Sequence, residues 1–365
     1  MNIETEPQGA VAGLSDHWQH MDANAEMQLI TPALLHRLRA IDNLDILTNV
    51  KLAAISRWKI GGIADCVVCP RTTAALQQTL VLARELDVPV AVIGLTTNLL
   101  FAQLGLRALI IHLGQDFANL TITGNSVWAQ AGVWMPRFAR QVAQAGLTGI
   151  EHLAGIPGTL GGLVCMNGGT QRKGIGERLV SVTAMDLDGT LHTYDREQCG
   201  FAYRTSMFQH NRQIITEAEF VYETAQNKID VRRQMKRILE ERRRKFPQKL
   251  PNCGSVFVSN PALYDSLGPP GAAIEQCGLK GTVHGGAQIS PLHANFIVNN
   301  GGASTADVLY LIELIRSTVR LQTGHDMEAE AKYVDTLGNM HPAHEVAQQF
   351  MEQEREQERA QGRAV

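Results

Sequence analysis

The sequence predicts an α+β protein built from two closely packed units. Three observations point there. Strand-like and helix-like periods alternate from residue 46 to about 224. A strongly basic helical stretch at 230–245 then leads into a second, shorter α+β stretch at 246–334. No internal repeat, low-complexity tract or long linker separates the two, so they must pack together and leave a cleft, the usual place for a ligand. A chain of 365 residues is long enough for two or three such units.

The elements follow in order. Leu76, Leu80, Ala83 and Leu86 recur at helical spacing within 74–86, and 88–93 is a β-rich run. Residues 108–113 and Ser126–Gln130 read as strands. Residues 136–145 read as a helix, with Pro136 suited to its first turn and Gly146 to its stop. The runs 180–187 and 190–194 flank Asp188-Gly189, a hairpin signal. Within 230–245, Val231, Met235, Ile238 and Leu239 make an apolar stripe. Charged helices mostly face water, which favours a solvated helix with one buried face over a clamp for a nucleotide phosphate. Ser304 with Asp307 forms a capping pair. Val308, Ile312, Ile315 and Val319 share the helix face that follows, and Gly324 ends it. The first 44 residues are polar and mixed, and the last stretch is charged and poor in core residues; both are expected to be peripheral. The expected organisation is therefore an extension (1–44), a first unit (45–224), a second unit (225–335) and a charged tail (336–365).

Composition excludes several function classes. Hydrophobic residues make up 44% and charged ones 19%, as in an ordinary globular protein. A net charge of −3 gives no basic stripe for nucleic acid, and 5% aromatics leave no base-stacking platform. No run reaches the roughly 18 to 20 apolar residues of a membrane span. The N-terminus lacks the basic region and apolar core of a secretory signal. The expected location is the cytoplasm, with neither nucleic acid nor membrane as partner. Cys66, Cys69, Cys165, Cys199, Cys253 and Cys277 are irregularly spaced and read as free thiols. Cys66 and Cys69 alone have metal or redox spacing. They lie in a strand-like run where side chains three apart face opposite ways, and no second pair accompanies them, so no metal is expected.

The chemistry concentrates in a few segments. Residues 149–169 are rich in glycine yet apolar. Gly158, Gly161 and Gly162 bracket Thr159, a candidate donor to a phosphate; the same glycines would also serve as tight turns in a core. A strand at 92–93 runs into Gly94-Leu95-Thr96-Thr97-Asn98, a pattern suited to a nest of backbone N–H groups. Gly61 and Gly62 make a third glycine-bearing turn. Tyr203, Arg204 and Ser206 form one polar group, Ser255 follows Gly254, and Glu328 and Glu330 would share a face on a strand. Taken singly, these read as a surface ion pair, a turn serine and a solvated edge strand.

Their order changes the reading. Gly-Ile-Pro-Gly-Thr-Leu-Gly-Gly, Met-Asn-Gly-Gly, Tyr-Arg-Thr-Ser, Gly-Ser-Val-Phe, the run 286–305 and Met-Glu-Ala-Glu-Ala occur in one series. That series, from about residue 55 to 334, resembles the UDP-N-acetylenolpyruvoylglucosamine reductases. The run Gln288 to Phe296 is similar to the shorter subgroup of that family. The resemblance implies a two-subdomain FAD-binding fold of the vanillyl-alcohol-oxidase type at 45–224, plus a smaller α+β substrate domain at 225–335. It implies non-covalent FAD, NADPH as hydride donor and a nucleotide-sugar enol ether as substrate, reduced to UDP-N-acetylmuramate for peptidoglycan synthesis.

The resemblance also assigns roles. Arg204 would hold the carboxylate on which charge develops. Ser255 would donate the proton. Glu330 would polarise the carboxylate or position the donor. Cofactor contacts are expected from Gly61, Gly62, Gly94, Thr96, Thr97, Asn98, Gly158, Thr159, Gly161, Gly162 and Asn167, and substrate contacts from Tyr203, Asn260 and Gln288. Three departures stand out. Leu95 and Thr96 occupy places where the family usually has glycine, and Gln103 stands near a usual Asp. The stretch Phe257-Val258-Ser259-Asn260-Pro261 is one residue longer than usual and lacks its basic residue. Two other readings compete: a flavin-binding paralogue acting on another enol ether, favoured by these departures, and a flavin-free binding protein, opposed by Arg204, Ser255 and Glu330 standing together. Bound yellow chromophore separates the last from the first two, and substrate-dependent NADPH oxidation separates the first two from each other.

Overall fold

The computed structural model describes residues 29–170 and 172–360. Thr31 caps a helix, Pro32–Leu38, whose first position suits proline because no N–H is needed there. Leu34 and Leu38, four residues apart, are fully buried in the largest core. Ile30, Leu34 and Leu38 thus anchor residues 29–44 on the core, while most of the other side chains there are exposed; the rest of that predicted extension, 1–28, lies outside the described residues.

A four-stranded sheet runs in the order Leu44–Lys51, Ile63–Pro70, Leu106–His112, Val90–Ile93. The first pair is antiparallel and the others are parallel. Leu106, Ala108, Leu109, Ile110 and Ile111 are all buried, as a parallel strand covered on both faces must be. The helix Thr73–Glu85 makes the crossover and buries Leu76, Leu80 and Ala83. A five-stranded antiparallel sheet follows, in the order Leu191–Asp195, Leu179–Met185, Ile214–Val221, Ser126–Gln130, Leu120–Thr123. The predicted hairpin turns at Gly189, whose φ is +89°. The helix Met135–Ala145 packs on this sheet, with the Phe138 and Phe220 ring centroids 5.4 Å apart.

The basic helix, Lys228–Lys245, buries only Val231 and Ile238, and Val231 sits in the core of the first unit. Arg242 donates to the carbonyl of Gly155 at 3.1 Å and lies over the Phe246 ring. The helix is thus mostly solvated, and the change of unit comes after it rather than at 225.

In the second unit the capping box of Ser304 and Asp307 starts the helix Thr305–Thr323, and Gly324 at φ +75° stops it. Chain from the first unit completes this core. Leu99–Phe101 pairs in parallel with Lys332–Val334, which pairs with Met340–Pro342. Trp58, Ile60, Leu100 and Ala102 lie in the second core. The Trp58 indole donates to the carbonyl of Ile297 at 2.8 Å.

The charged tail is more closely tied to the core than its composition predicts. Residues 340–342 are a strand, and Ala343–Ala360 is a helix that buries Ala343, Val346, Ala347 and Phe350 beside the helix Thr305–Thr323. Those four positions recur at helical spacing, so an otherwise charged sequence still has one apolar face; residues 361–365 lie outside the described residues. Phe350→Ala is expected to lower unfolding stability by about 3–5 kcal/mol, as for other buried aromatics. Denaturant unfolding checks this, and a loss below about 1 kcal/mol would mean the helix contributes little to the core.

Candidate functional site

Gly94 follows the strand Val90–Ile93, and a Cβ built on it would collide with the Thr159 hydroxyl. Gly158 has φ +137°, and a Cβ there would stand 2.9 Å from Leu163 Cδ1 and 3.3 Å from Thr97 Oγ1. Residues 94–98 and 158–162 therefore pass side by side with little between them. Gly161 abuts Ala131, whereas a Cβ on Gly162 would meet nothing nearer than 3.5 Å. Gly254, beside Ser255, approaches the carbonyl of Thr97, to which its Cβ would come within 3.9 Å. Gly61 and Gly62 are explained differently. Added side chains would strike Phe101 and the backbone of Gln103 and Gly105, so these glycines serve close packing of the chain on itself.

Thr96 is the unusual member of the 94–98 turn. Its φ is +53°, while its neighbour Leu95 has no positive φ. A side chain in this region costs about 1–2 kcal/mol, and a β-branched one is an outlier. Thr96 is 4% exposed. Its hydroxyl accepts from the Arg57 amide at 3.0 Å and donates to the Ile55 carbonyl at 3.4 Å. Ser56, between those two residues, is 1% exposed, and its hydroxyl has no partner among the described residues. Glycine turns in close approach, with the hydroxyls of Thr97 and Thr159 beside them, have the chemistry to receive a phosphate group. Among the described residues no group of three or more His, Cys, Asp and Glu is placed to hold a metal.

The ionisable candidates meet next to this cradle. Arg204 Nε lies 3.2 Å from Glu330 Oε1, with side-chain exposures of 23% and 18%. Nε has no aligned hydrogen bond, so the contact is one of charge. Arg204 Nη2 donates to the carbonyl of Gly169 at 2.9 Å, and the guanidinium lies over the Tyr203 ring. Burial pushes the Glu330 carboxyl above its ordinary pKa, and Arg204 opposes that shift. The segment that carries Ser255 is held against Glu330: the carbonyl of Val256 accepts from the amides of Glu330 at 2.7 Å and Ala331 at 3.3 Å. Asn98 adds a second tie, its side-chain amide donating to the Glu330 carbonyl at 2.8 Å.

Other predicted residues are placed less directly. Glu328 and Glu330 do not share a strand face. Their segment makes only an isolated bridge, Phe257 to Ala329, leaving Glu328 exposed. Asn167 donates to the Ala202 carbonyl and accepts from the Gly176 amide, so its side chain ties the turn that carries Tyr203 and Arg204 to the one-turn helix Ile175–Arg178. The Tyr203 hydroxyl accepts from the amide of Ser259, the residue of the lengthened loop, at 3.4 Å. Asn260 donates to the Asp326 carbonyl at 3.3 Å. Gln288 donates to the Gly281 carbonyl and accepts from Asn300. Ser206 donates to the carbonyl of Cys165 at 2.6 Å, a structural bond.

Sequence reasoning missed Asn295. It is 5% exposed. Its side chain accepts from the Phe257 amide at 2.9 Å and donates to the Phe257 carbonyl at 3.0 Å, while its own carbonyl accepts from Val256. It thereby clamps the extended segment next to Ser255. The available signal was a lone asparagine between Ala294 and Phe296 in an apolar run. Cys66 and Cys69 lie on one strand, one buried and the other half-buried, and burial pushes both thiols up to about 11. Thiols that hold their protons so firmly are poor metal ligands or nucleophiles near neutral pH.

Residues 64–195 match the model of an FAD-binding domain, and residues 246–334 match that of the UDP-N-acetylenolpyruvoylglucosamine reductase C-terminal domain. The UDP-N-acetylenolpyruvoylglucosamine reductase 1 of Corynebacterium glutamicum is 42% identical over 322 residues, covering 88% of this chain and 96% of that protein. The reductase of Halalkalibacterium halodurans is 38% identical, covering 82% and 98%. Among solved structures, the UDP-N-acetylenolpyruvylglucosamine reductase from Thermus caldophilus matches with a TM-score of 0.67 at 30% identity, covering 80% of this chain and 98% of that one.

Proposed function

Since the chain belongs to the UDP-N-acetylenolpyruvoylglucosamine reductase family, we propose that it reduces the enolpyruvyl ether of UDP-N-acetylglucosamine to UDP-N-acetylmuramate, a peptidoglycan precursor. It is a flavin oxidoreductase that uses FAD, with NADPH as reductant. We place its work in the cytoplasm, upstream of cell-wall growth, cell shape and division. Among the described residues no helix is long and apolar enough to cross a membrane.

FAD, when bound, carries hydride from NADPH to the terminal alkene carbon of the substrate. Residues 94–98 and 158–162 would hold it, with Thr97, Thr159 and backbone amides as donors. The chain's other residues handle charge and the proton. As the alkene accepts hydride, negative charge spreads onto the substrate carboxylate. A guanidinium stabilises that charge in a partly buried site far better than water would, and Arg204 is the residue in place for it. Ser255 then gives its proton to the carbon bearing the carboxylate, so that the double bond becomes single. Serine is a weak acid and serves only because its partner is strongly basic. Glu330 holds Arg204 in register, and Asn295 with the Val256 carbonyl keeps Ser255 and Glu330 adjacent.

The observation that most supports this reading is the Arg204–Glu330 contact, two residues far apart in sequence brought to 3.2 Å. NADPH consumption beyond the one equivalent that reduces the flavin is expected only when the enolpyruvyl nucleotide sugar is added, with a product two hydrogens heavier by mass spectrometry. Purified, FAD-loaded protein that leaves this substrate unchanged would sink the proposal.

A further inference from the structure

Thr96 occupies a backbone conformation that glycine adopts without strain, yet it is a buried, β-branched residue. A residue kept where its own side chain is unfavourable points to what that side chain does. The hydroxyl spans about forty residues of sequence, bonding the amide of Arg57 and the carbonyl of Ile55. The 55–58 segment is in turn fixed to the second unit. Trp58 donates to Ile297, and the Asn299 side chain donates to the Trp58 carbonyl at 2.9 Å. At the other end of the same turn, Asn98 bonds the backbone of both Glu330 and Lys332. The 94–98 turn is therefore tied at two points to the framework that carries the second unit.

We infer that Thr96 is a positioning residue for the cofactor. Its hydroxyl, not its backbone freedom, holds the 94–98 turn in the shape that receives the FAD diphosphate. Thr96 itself need not touch the cofactor, because its oxygen is already engaged by the main chain of 55–57. The Thr96 bonds also fix the main chain on either side of Ser56, whose unpartnered hydroxyl is thereby held in one place. The inference rests on the flavin reading of the site and adds to it a positioning device, since the strain and the clamp both arise from a residue that is not glycine.

The test follows flavin release from the holoenzyme on dilution, read as the rise of free-flavin fluorescence. Thr96→Gly relieves the strain but deletes the clamp, and is expected to release FAD at least about tenfold faster, as loss of a buried hydrogen bond implies. Thr96→Ser keeps the hydroxyl and is expected to stay within about threefold of the native chain. Amide exchange at Arg57 gives a local readout: it should speed up in Thr96→Gly and remain near native in Thr96→Ser. Thr96→Gly retaining FAD as long as the native chain, or Thr96→Ser releasing it as fast as glycine, overturns the inference while leaving the flavin assignment intact. Native protein purified without any flavin and unable to take it up would remove both.

Discussion

Ser255→Ala is expected to lower turnover by about 100- to 10,000-fold, the range contributed by a positioned general acid. FAD content and NADPH oxidation in the absence of substrate should stay near native, because Ser255 is needed only after hydride has reached the alkene. Ser255→Cys should retain more activity than alanine, since a thiol can still donate from the same place. With no donor, hydride transfer becomes reversible, and deuterium supplied from labelled NADPH should appear in recovered substrate. A serine that merely closes the turn at Gly254 behaves otherwise. Alanine would then cost little turnover, and cysteine would be no better than alanine. The backbone around Ser255 is held by Asn295 and by Glu330 through the bonds of Val256 and Phe257, none of which uses the serine side chain. The substitution therefore reports on the hydroxyl rather than on the fold.

The second large effect is expected at Arg204. Replacing it with alanine should slow the substrate-dependent half-reaction by about 100- to 1,000-fold, the cost of removing one preorganised group that stabilises developing negative charge. The NADPH-dependent half-reaction should change little. Arg204→Lys should recover only part of the loss, because an ammonium keeps the charge but not the planar fork that holds a carboxylate through two bonds. The pH profile supplies a signed test. Burial already raises the Glu330 carboxyl and Arg204 lowers it. Without Arg204 nothing opposes burial, so Glu330 keeps its proton to higher pH, and the acid limb of the residual activity should move upward. Glu330→Gln in an otherwise native chain should abolish that limb. Stopped-flow traces in which both half-reactions suffer equally would remove Arg204 from this role.

Much of the fold was legible because the deciding signals are local. The capping pair at Ser304 and Asp307, the stop at Gly324, the hairpin at Asp188-Gly189 and the helix ending at Gly146 all depend on residues within a few positions of one another. The buried faces of the helices Pro32–Leu38 and Ala343–Ala360 were not legible for a related reason. Their composition is polar on average, and only the spacing of Leu34 with Leu38, and of Val346 with Phe350, marks the buried face. A face that narrow is stable only against a partner surface supplied from elsewhere in the chain.

The same division runs through the site. By itself the sequence singled out the candidates: the glycine turns at 94 and 158, Arg204, Ser255 and Glu330, through a resemblance in type, order and spacing to one family. Only the tertiary structure decided what those residues do to one another. It brought Arg204 to Glu330 across more than a hundred residues and laid the Val256 backbone against Glu330. It gave Gly61 and Gly62 to chain packing, and Asn167 to the turn before Arg204. It also reversed the reading of Thr96. In sequence this residue is a lost glycine and a cost to the loop, whereas in the fold its hydroxyl meets the backbone of Ile55 and Arg57. The physical reason is range. Backbone propensity and amphipathic period act over one or two turns of chain and can be read along it. Charge contacts, buried hydrogen bonds and close backbone approaches are set by distance in space, which the order of residues does not state.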